Sequence, residues 1–242
     1  WPQLSDVVGK KVNPSQWAVA YLGGLKDGRD LIKDGSTVAV TRGGEKLMFD
    51  CGEGTQRQMR CSVGLTPVDQ IYLTHFHLDH CLGLPGLLKT YDLGDRTEPM
   101  RIFGPAGLEK LLSDWHPMIG RLGFHLEVEE IAAGDIIAHD GYEIEVFKAE
   151  HSAPNAVGYA MLEDDRPGRF DPEVARELGV AEGPDFKLLQ SGQTVTGSKG
   201  EVRPDQVMDE DRFGRAIVLT GDTGPSQATV VAAADADLLI HD

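Results

Sequence analysis

The 242 residues carry 23 Lys and Arg against 39 Asp and Glu, a formal charge of −16. That balance excludes a generic nucleic-acid binder built on a basic face, and leaves a surface suited to high salt or a partner other than nucleic acid. With 40% hydrophobic residues and no apolar run approaching the ~20 residues of a membrane span, the chain reads as soluble and globular. Cys51, Cys61 and Cys81 are sparse and odd in number, as expected of reduced thiols in a cytoplasmic protein, and no signal-peptide pattern opens the chain.

Ala18 to Leu22 reads as a strand, and the glycine- and charge-rich stretch 23–35 as a loop. Thr37 to Thr41 and Lys46 to Phe49 form a hairpin around Gly43-Gly44. Next comes Asp50-Cys51-Gly52-Glu53-Gly54-Thr55-Gln56-Arg57-Gln58-Met59. Its glycines permit a tight passage from strand to helix, with a helix start after Gly54. Asp50 stands where a carboxylate can brace a metal-bound histidine.

The chemistry concentrates in 71–80, Ile-Tyr-Leu-Thr-His-Phe-His-Leu-Asp-His, which holds three of the eight histidines. Residues two apart on an extended chain point the same way, so His75 and His77 can grip one cation. Asp79 and His80, past the turn, project to a second position close by. Neutral imidazoles and a carboxylate are ligands that zinc accepts. Leu84, Leu87, Leu88 and Tyr91 then recur at helical spacing, and Cys81 reads as core.

Further along, Arg101 to Phe103 is a strand, and Gly107 to Trp115 a helix with the stripe Leu108, Leu111, Leu112 and Trp115. His116 reads as structural. Leu126 to Ile131, Asp135 to Ala138 and Tyr142 to Ala149 are strand-like, with His125 and His139 facing solvent. His151 follows the last of these and precedes another strand beginning near Ala156. Residues 163–212 are a compositional break with 13 acidic and 7 basic residues. They contain a short helix with Asp171 as N-cap, Pro172 in its first turn and Gly179 as its stop. Ala216 to Asp222 is a buried-type strand ending in Gly221-Asp222-Thr223, and Asp237 to Ile240 is the next strand.

The His-x-His-x-Asp-His string after an apolar strand resembles the signature of the metallo-β-lactamase superfamily. This implies an α/β (α+β) fold, an αββα sandwich holding one or two metals at its edge. The 50–59 string and Cys81-Leu82-Gly83-Leu84-Pro85-Gly86-Leu87-Leu88 resemble RNase Z, the tRNA 3′-processing endonuclease, in an archaeal, halophile-like form. The resemblance implies two Zn2+ per subunit. His75, His77 and His151 would hold the first, Asp79 and His80 the second, and Asp222 would bridge them. Asp79 would also orient the nucleophile and accept its proton. Precursor tRNA is the implied substrate, cut to leave a 3′-hydroxyl on the tRNA, and a homodimer the implied assembly. Residues 1–242 are expected to form one such domain, with 163–212 as an insertion resembling the family's exosite arm, Gly183-Pro184 included. Arg166, Arg169 and Lys187 are its candidate substrate contacts.

Two departures stand beside the match. The family's Gly-Thr-Gly-rich N-terminal loop is not found. The histidines that follow the last strand in the family would lie beyond Asp242, so the second half of the sandwich and the second metal site are expected to be incomplete. The chain therefore reads as a C-terminally truncated form with weak or no activity. The acidic charge keeps an alternative open, a small-molecule hydrolase of the same fold acting on a thioester, lactone or sulfate ester.

Overall fold

The computed structural model describes residues 17–21 and 36–241; the expected loop at 23–35 and Asp242 lie outside them. A six-stranded sheet, most of a five-stranded sheet and a set of helices form the first of two compact units, which among the described residues comprises 17–21, 36–137, 144–161 and 217–241.

The first sheet has six strands in sequence order: β1 (Trp17–Tyr21), β2 (Val38–Arg42), β3 (Glu45–Phe49), β4 (Gln70–Tyr72), β5 (Met100–Pro105) and β6 (Leu126–Ile131). β1, β2 and β3 pair antiparallel, and β3 to β6 are parallel. Parallel neighbours need crossovers. These are α1 (Thr55–Cys61), then α2 (Leu78–Cys81) with α3 (Gly83–Leu93), then α4 (Leu108–Ile119).

Period-two alternation divides the strand residues between the sheet's faces. Met48, Ile71 and Ile102 pack with Met59, Leu84, Leu87, Leu88, Tyr91 and Leu108 of the helices. Phe49, Tyr72 and Phe103, one position along, stack in a row on the other face, with ring centroids 5.1 Å and 4.7 Å apart.

The second sheet has the order β13-β12-β9-β8-β7, from β7 (Ile136–His139), β8 (Tyr142–Lys148), β9 (Val157–Glu163), β12 (Ala216–Leu219) and β13 (Leu238–Ile240). It meets the first sheet through Tyr159, whose ring lies 5.5 Å from both Phe49 and Tyr72. The Tyr159 hydroxyl donates to the Leu73 carbonyl, and the Val157 N–H to the Thr74 carbonyl at 3.0 Å.

The second unit comprises 138–143 and 162–216. It holds α5 (Pro172–Glu177), α6 (Pro184–Gln190) and the hairpin β10 (Val195–Gly197) with β11 (Gly200–Val202). Its own core is Ala175, Val180, Leu189, Val195, Val202 and Val207. Asp171 caps α5 as its sequence predicts, accepting the N–H groups of Glu173 and Val174. Buried Glu163 is paired to both Arg166 and Arg215.

Local differences from the sequence reading have physical causes. α4 runs to Ile119, through Pro117. A proline that close to a helix end forfeits one backbone bond, and Gly120 still closes the turn on the His116 carbonyl at 2.8 Å. The N-cap of α4 is Gly107, which offers no side chain. Glu130 of β6 replaces it, accepting the N–H groups of Gly107 and Glu109 at 2.8 and 3.1 Å. His139 is half-buried rather than solvent-facing and stacks on Tyr142 with centroids 4.4 Å apart.

Candidate metal centre

The 50–59 string and the 81–88 string are adjacent in space, and glycine makes that possible. The Cys51 N–H donates to the His80 carbonyl at 2.7 Å, and the Gly83 N–H to the Cys51 carbonyl at 2.8 Å. A Cβ on Gly83 would overlap the Gly52 carbonyl oxygen, and one on Gly86 would come within 3.0 Å of Gln56. Gln56 itself reaches Thr90 of α3 at 2.9 Å. The loop after β3 is thereby clasped to α2 and α3, the segment that carries the histidines.

This clasp aims Asp50 at them. Asp50 has a left-handed backbone, φ 58°, a conformation that asparagine and aspartate tolerate better than most residues. Its Oδ1 accepts the Thr74 N–H at 2.7 Å, and its Oδ2 lies 2.8 Å from His80 Nδ1. The Thr74 hydroxyl sits 3.0 and 2.9 Å from the two carboxylate oxygens and 3.0 Å from His75 Nδ1.

A hydroxyl has one proton to give. Given to the charged carboxylate, it leaves Thr74 Oγ1 as acceptor for an Nδ1–H on His75. His80 likewise presents Nδ1–H to Asp50. One carboxylate thus sets the tautomer of two imidazoles and turns a lone pair outward on each Nε2. His75 Nε2 is buried without a hydrogen-bond partner, an arrangement that is costly unless something occupies its lone pair.

His151 and Asp222 arrive from the second sheet. His151 lies between β8 and β9, in a loop closed by Ala149 N–H to Ala156 O at 3.0 Å. Asp222 follows β12. The two segments are tied together: the Glu150 N–H donates to Thr223 Oγ1 at 3.0 Å, and the Gly224 N–H to the Glu150 carbonyl at 2.7 Å. Gly221 has φ +59°, and a Cβ there would lie 2.8 Å from the Thr74 side chain.

Among the described residues, two groups of ligand atoms converge to within 4.8 Å: His75 with His77 and His151, and His75 with His80 and Asp222. His77 Nδ1 and His151 Nε2 are 3.1 Å apart. Two nitrogens bound tetrahedrally at zinc distances would be about 3.3 Å apart, so the gap fits a cation. His80 Nε2 lies 3.1 Å from Asp222 and 3.9 Å from Asp79. Asp79 is half-exposed, 51% at its side chain, and open to solvent.

The electrostatics suit cation binding. Burial, with the nearby His80, His151 and His77, holds the His75 pKa down at about 3, so its lone pair is free at neutral pH. Burial alone would lower His80. The hydrogen bond and charge of Asp50, with Asp222 and Asp79 behind them, outweigh it and raise the pKa. Burial raises Asp50, opposed by His80 and Thr74. Cys81 lies in the core, pushed up to about 12 chiefly by burial, which leaves it a neutral thiol.

A cavity of about 180 Å3 adjoins the second group, lined by Ser36, Asp50, Thr74, His80, Asp222 and His241 among others. His241 carries no spacing signal in the sequence. Its partner, Thr220, is reached only when β12 and β13 pair.

In the second unit, Arg166 is committed to Glu163, whereas Arg169 and Lys187 are exposed. Arg176 is held by Glu173 and Glu182, and Arg203 by Asp205.

The chain is similar to known proteins over most of its length. Residues 45–175 match the beta-lactamase superfamily domain. Over 210 residues the chain is 46% identical to Ribonuclease Z of Myxococcus xanthus, covering 86% of this chain and 68% of the relative. Over 214 residues it is 48% identical to Ribonuclease Z of Haloferax volcanii, covering 86% and 66%. The chain thus spans about two-thirds of the length of these relatives. The crystal structure of human tRNase Z, short form, superposes with a TM-score of 0.61 at 25% identity, over 93% of this chain and 77% of that one.

Proposed function

Because the chain belongs to the ribonuclease Z family and carries that family's metallo-β-lactamase fold, we propose that it cuts the 3′ trailer from precursor tRNA, leaving a 3′-hydroxyl on the tRNA. The observation that carries this reading is the convergence of His75, His77, His80, His151 and Asp222 in two overlapping groups, beside a histidine nitrogen with no partner in the protein.

The donor set fits divalent zinc, with imidazoles in the majority and carboxylates beside them. His75 belongs to both groups but has one free nitrogen, since Nδ1 is engaged with Thr74. A single lone pair serves one ion. His75 therefore goes with His77 and His151, and the residue that can serve two ions is Asp222, through its two oxygens. His80, Asp222 and Asp79 make up the other site. Bound there, two cations would neutralise charge on the phosphoryl oxygens and acidify a water at neutral pH.

The protein's own residues do the rest. Thr74 and Asp50 hold His75 and His80 in their tautomers. Asp79, exposed at the mouth, orients the attacking water and accepts its proton. Arg169 and Lys187 contribute to gripping RNA phosphates, and Arg166 contributes as far as its pairing to Glu163 allows. In the described residues no helix is long and apolar enough to cross a membrane, and the three cysteines are free, which suits a reducing cytoplasm. The resemblance also supports a homodimer, for which sedimentation by analytical ultracentrifugation is the check.

The decisive experiment incubates precursor tRNA and Zn2+ or Mn2+ with the protein extended by the C-terminal segment expected of the family, and maps the cut. A single cut at the 3′ end of the tRNA body, abolished by chelator, supports the reading. Intact RNA alongside metal-dependent hydrolysis of a thioester, lactone or sulfate ester would move the assignment to a small-molecule hydrolase, which the charge of −16 favours.

A further inference from the structure

We propose that His241 is a positioning residue for Asp222, acting through Thr220. This rests on the reading of Asp222 as a cation ligand. β13 runs parallel to β12 with Leu219 opposite Ile240, and the Thr220 N–H donates to the Ile240 carbonyl at 3.1 Å. The next residue is His241, whose Nδ1 lies 3.1 Å from Thr220 Oγ1.

Thr220 is fully buried, and its hydroxyl donates to the Gly221 carbonyl at 2.7 Å. Its single proton is thereby used, so the hydroxyl accepts from His241, which must carry its hydrogen on Nδ1. Asp50, Thr74 and His75 form the same device, in which a threonine hydroxyl relays between an acceptor and an imidazole Nδ1–H.

The consequence falls on the turn that carries Asp222. On one side Gly221 is seated against Thr74, with no room for a Cβ. On the other, His241 and Thr220 hold the Gly221 carbonyl. Asp222 leaves this clamped turn with Oδ1 3.1 Å from His80 Nε2. The cavity beside it, about 180 Å3 and lined by His241 itself, gives the turn somewhere to go once the clamp is lost.

The test is a Co2+ titration of metal-free protein, followed by visible absorption. It compares wild type with His241→Ala, His241→Asn and Thr220→Val, each checked by urea denaturation without metal. Asparagine can place an N–H where Nδ1 was. Wild type takes up two equivalents. His241→Ala and Thr220→Val bind the first, which keeps His75, His77 and His151, with the smaller loss, and the second about tenfold to a hundredfold more weakly, the usual loss when a ligand's supporting partner is removed. His241→Asn restores the second to within about threefold of wild type, by keeping the donor. In the wild type, an 15N–1H correlation places the proton of His241 on Nδ1.

The inference is overturned if His241→Ala binds both equivalents with wild-type affinity. It is overturned equally if His241→Asn is as impaired as His241→Ala, or if affinity falls only in step with stability to urea. A wild-type chain whose Co2+ uptake is unchanged by Asp222→Ala removes Asp222 as a ligand, and so fails at the premise.

Discussion

Asp50 Oδ2 lies 2.8 Å from His80 Nδ1, with both side chains buried, and this contact decides which nitrogen of His80 faces Asp222. The same carboxylate reaches His75 through Thr74, so its loss disturbs both candidate cation sites at once. Asp50→Ala is expected to weaken uptake of both equivalents by about tenfold to a hundredfold each, measured by metal titration. Substitution of exposed Glu53 in the same loop should leave both unchanged.

The two histidines that Asp50 orients respond to acid differently. His75 stays neutral down to about pH 3 and releases no proton to a cation near neutrality. His80 has a raised pKa, so below that value a cation must displace its proton. Affinity of the His80 and Asp222 site should therefore rise with pH, by up to about tenfold per unit, and level off above the His80 pKa. Proton release during metal binding, followed calorimetrically in buffers of different ionisation enthalpy, gives the count. For the metal-free fold the sign is opposite. A raised histidine pKa contributes stability that is fully present below the unfolded value of about 6.5 and fades as pH rises through the folded one.

Two glycines should resist replacement for different reasons. Gly83→Ala drives a methyl group into the Gly52 carbonyl and forces α3 off the Asp50 loop, at a cost of about 3 kcal/mol. Gly221→Ala meets Thr74 and must also hold φ +59°, adding about 1–2 kcal/mol of backbone strain. Urea denaturation should show both losses. Gly44, with open space around it, is the control.

The second unit offers a separable test of RNA binding. Lys187→Ala and Arg169→Ala remove exposed charges and should each flatten the salt dependence of precursor tRNA binding by about one unit of log–log slope. Arg166→Ala should act chiefly on stability, by about 1–3 kcal/mol, because it takes one of two guanidinium partners from Glu163, whose side chain is 2% exposed.

Much of this architecture is legible in the sequence because it is written locally. The His75 to His80 string, the glycines at 43 and 44, the Asp171 cap and the alternation along β8 each sit within a few residues. The continuation of α4 past Pro117 does not, because a proline reads as a stop whether or not the lost bond matters there. His151 and Asp222 come from resemblance rather than spacing, since the hydrogen bonds that unite their loops join residues 73 positions apart. His241 and Glu130 were invisible for the same reason. One depends on the pairing of β12 with β13, and the other caps a helix that begins 22 positions before it.

The candidate ligands are drawn from both sheets: His75, His77 and His80 follow β4, His151 follows β8, and Asp222 follows β12. An ion seated among them would rivet two layers that otherwise adhere through rings such as Tyr159. Chelation should then do more than silence chemistry: it should loosen the sandwich along that rim and lower its melting temperature, even where no substrate is present.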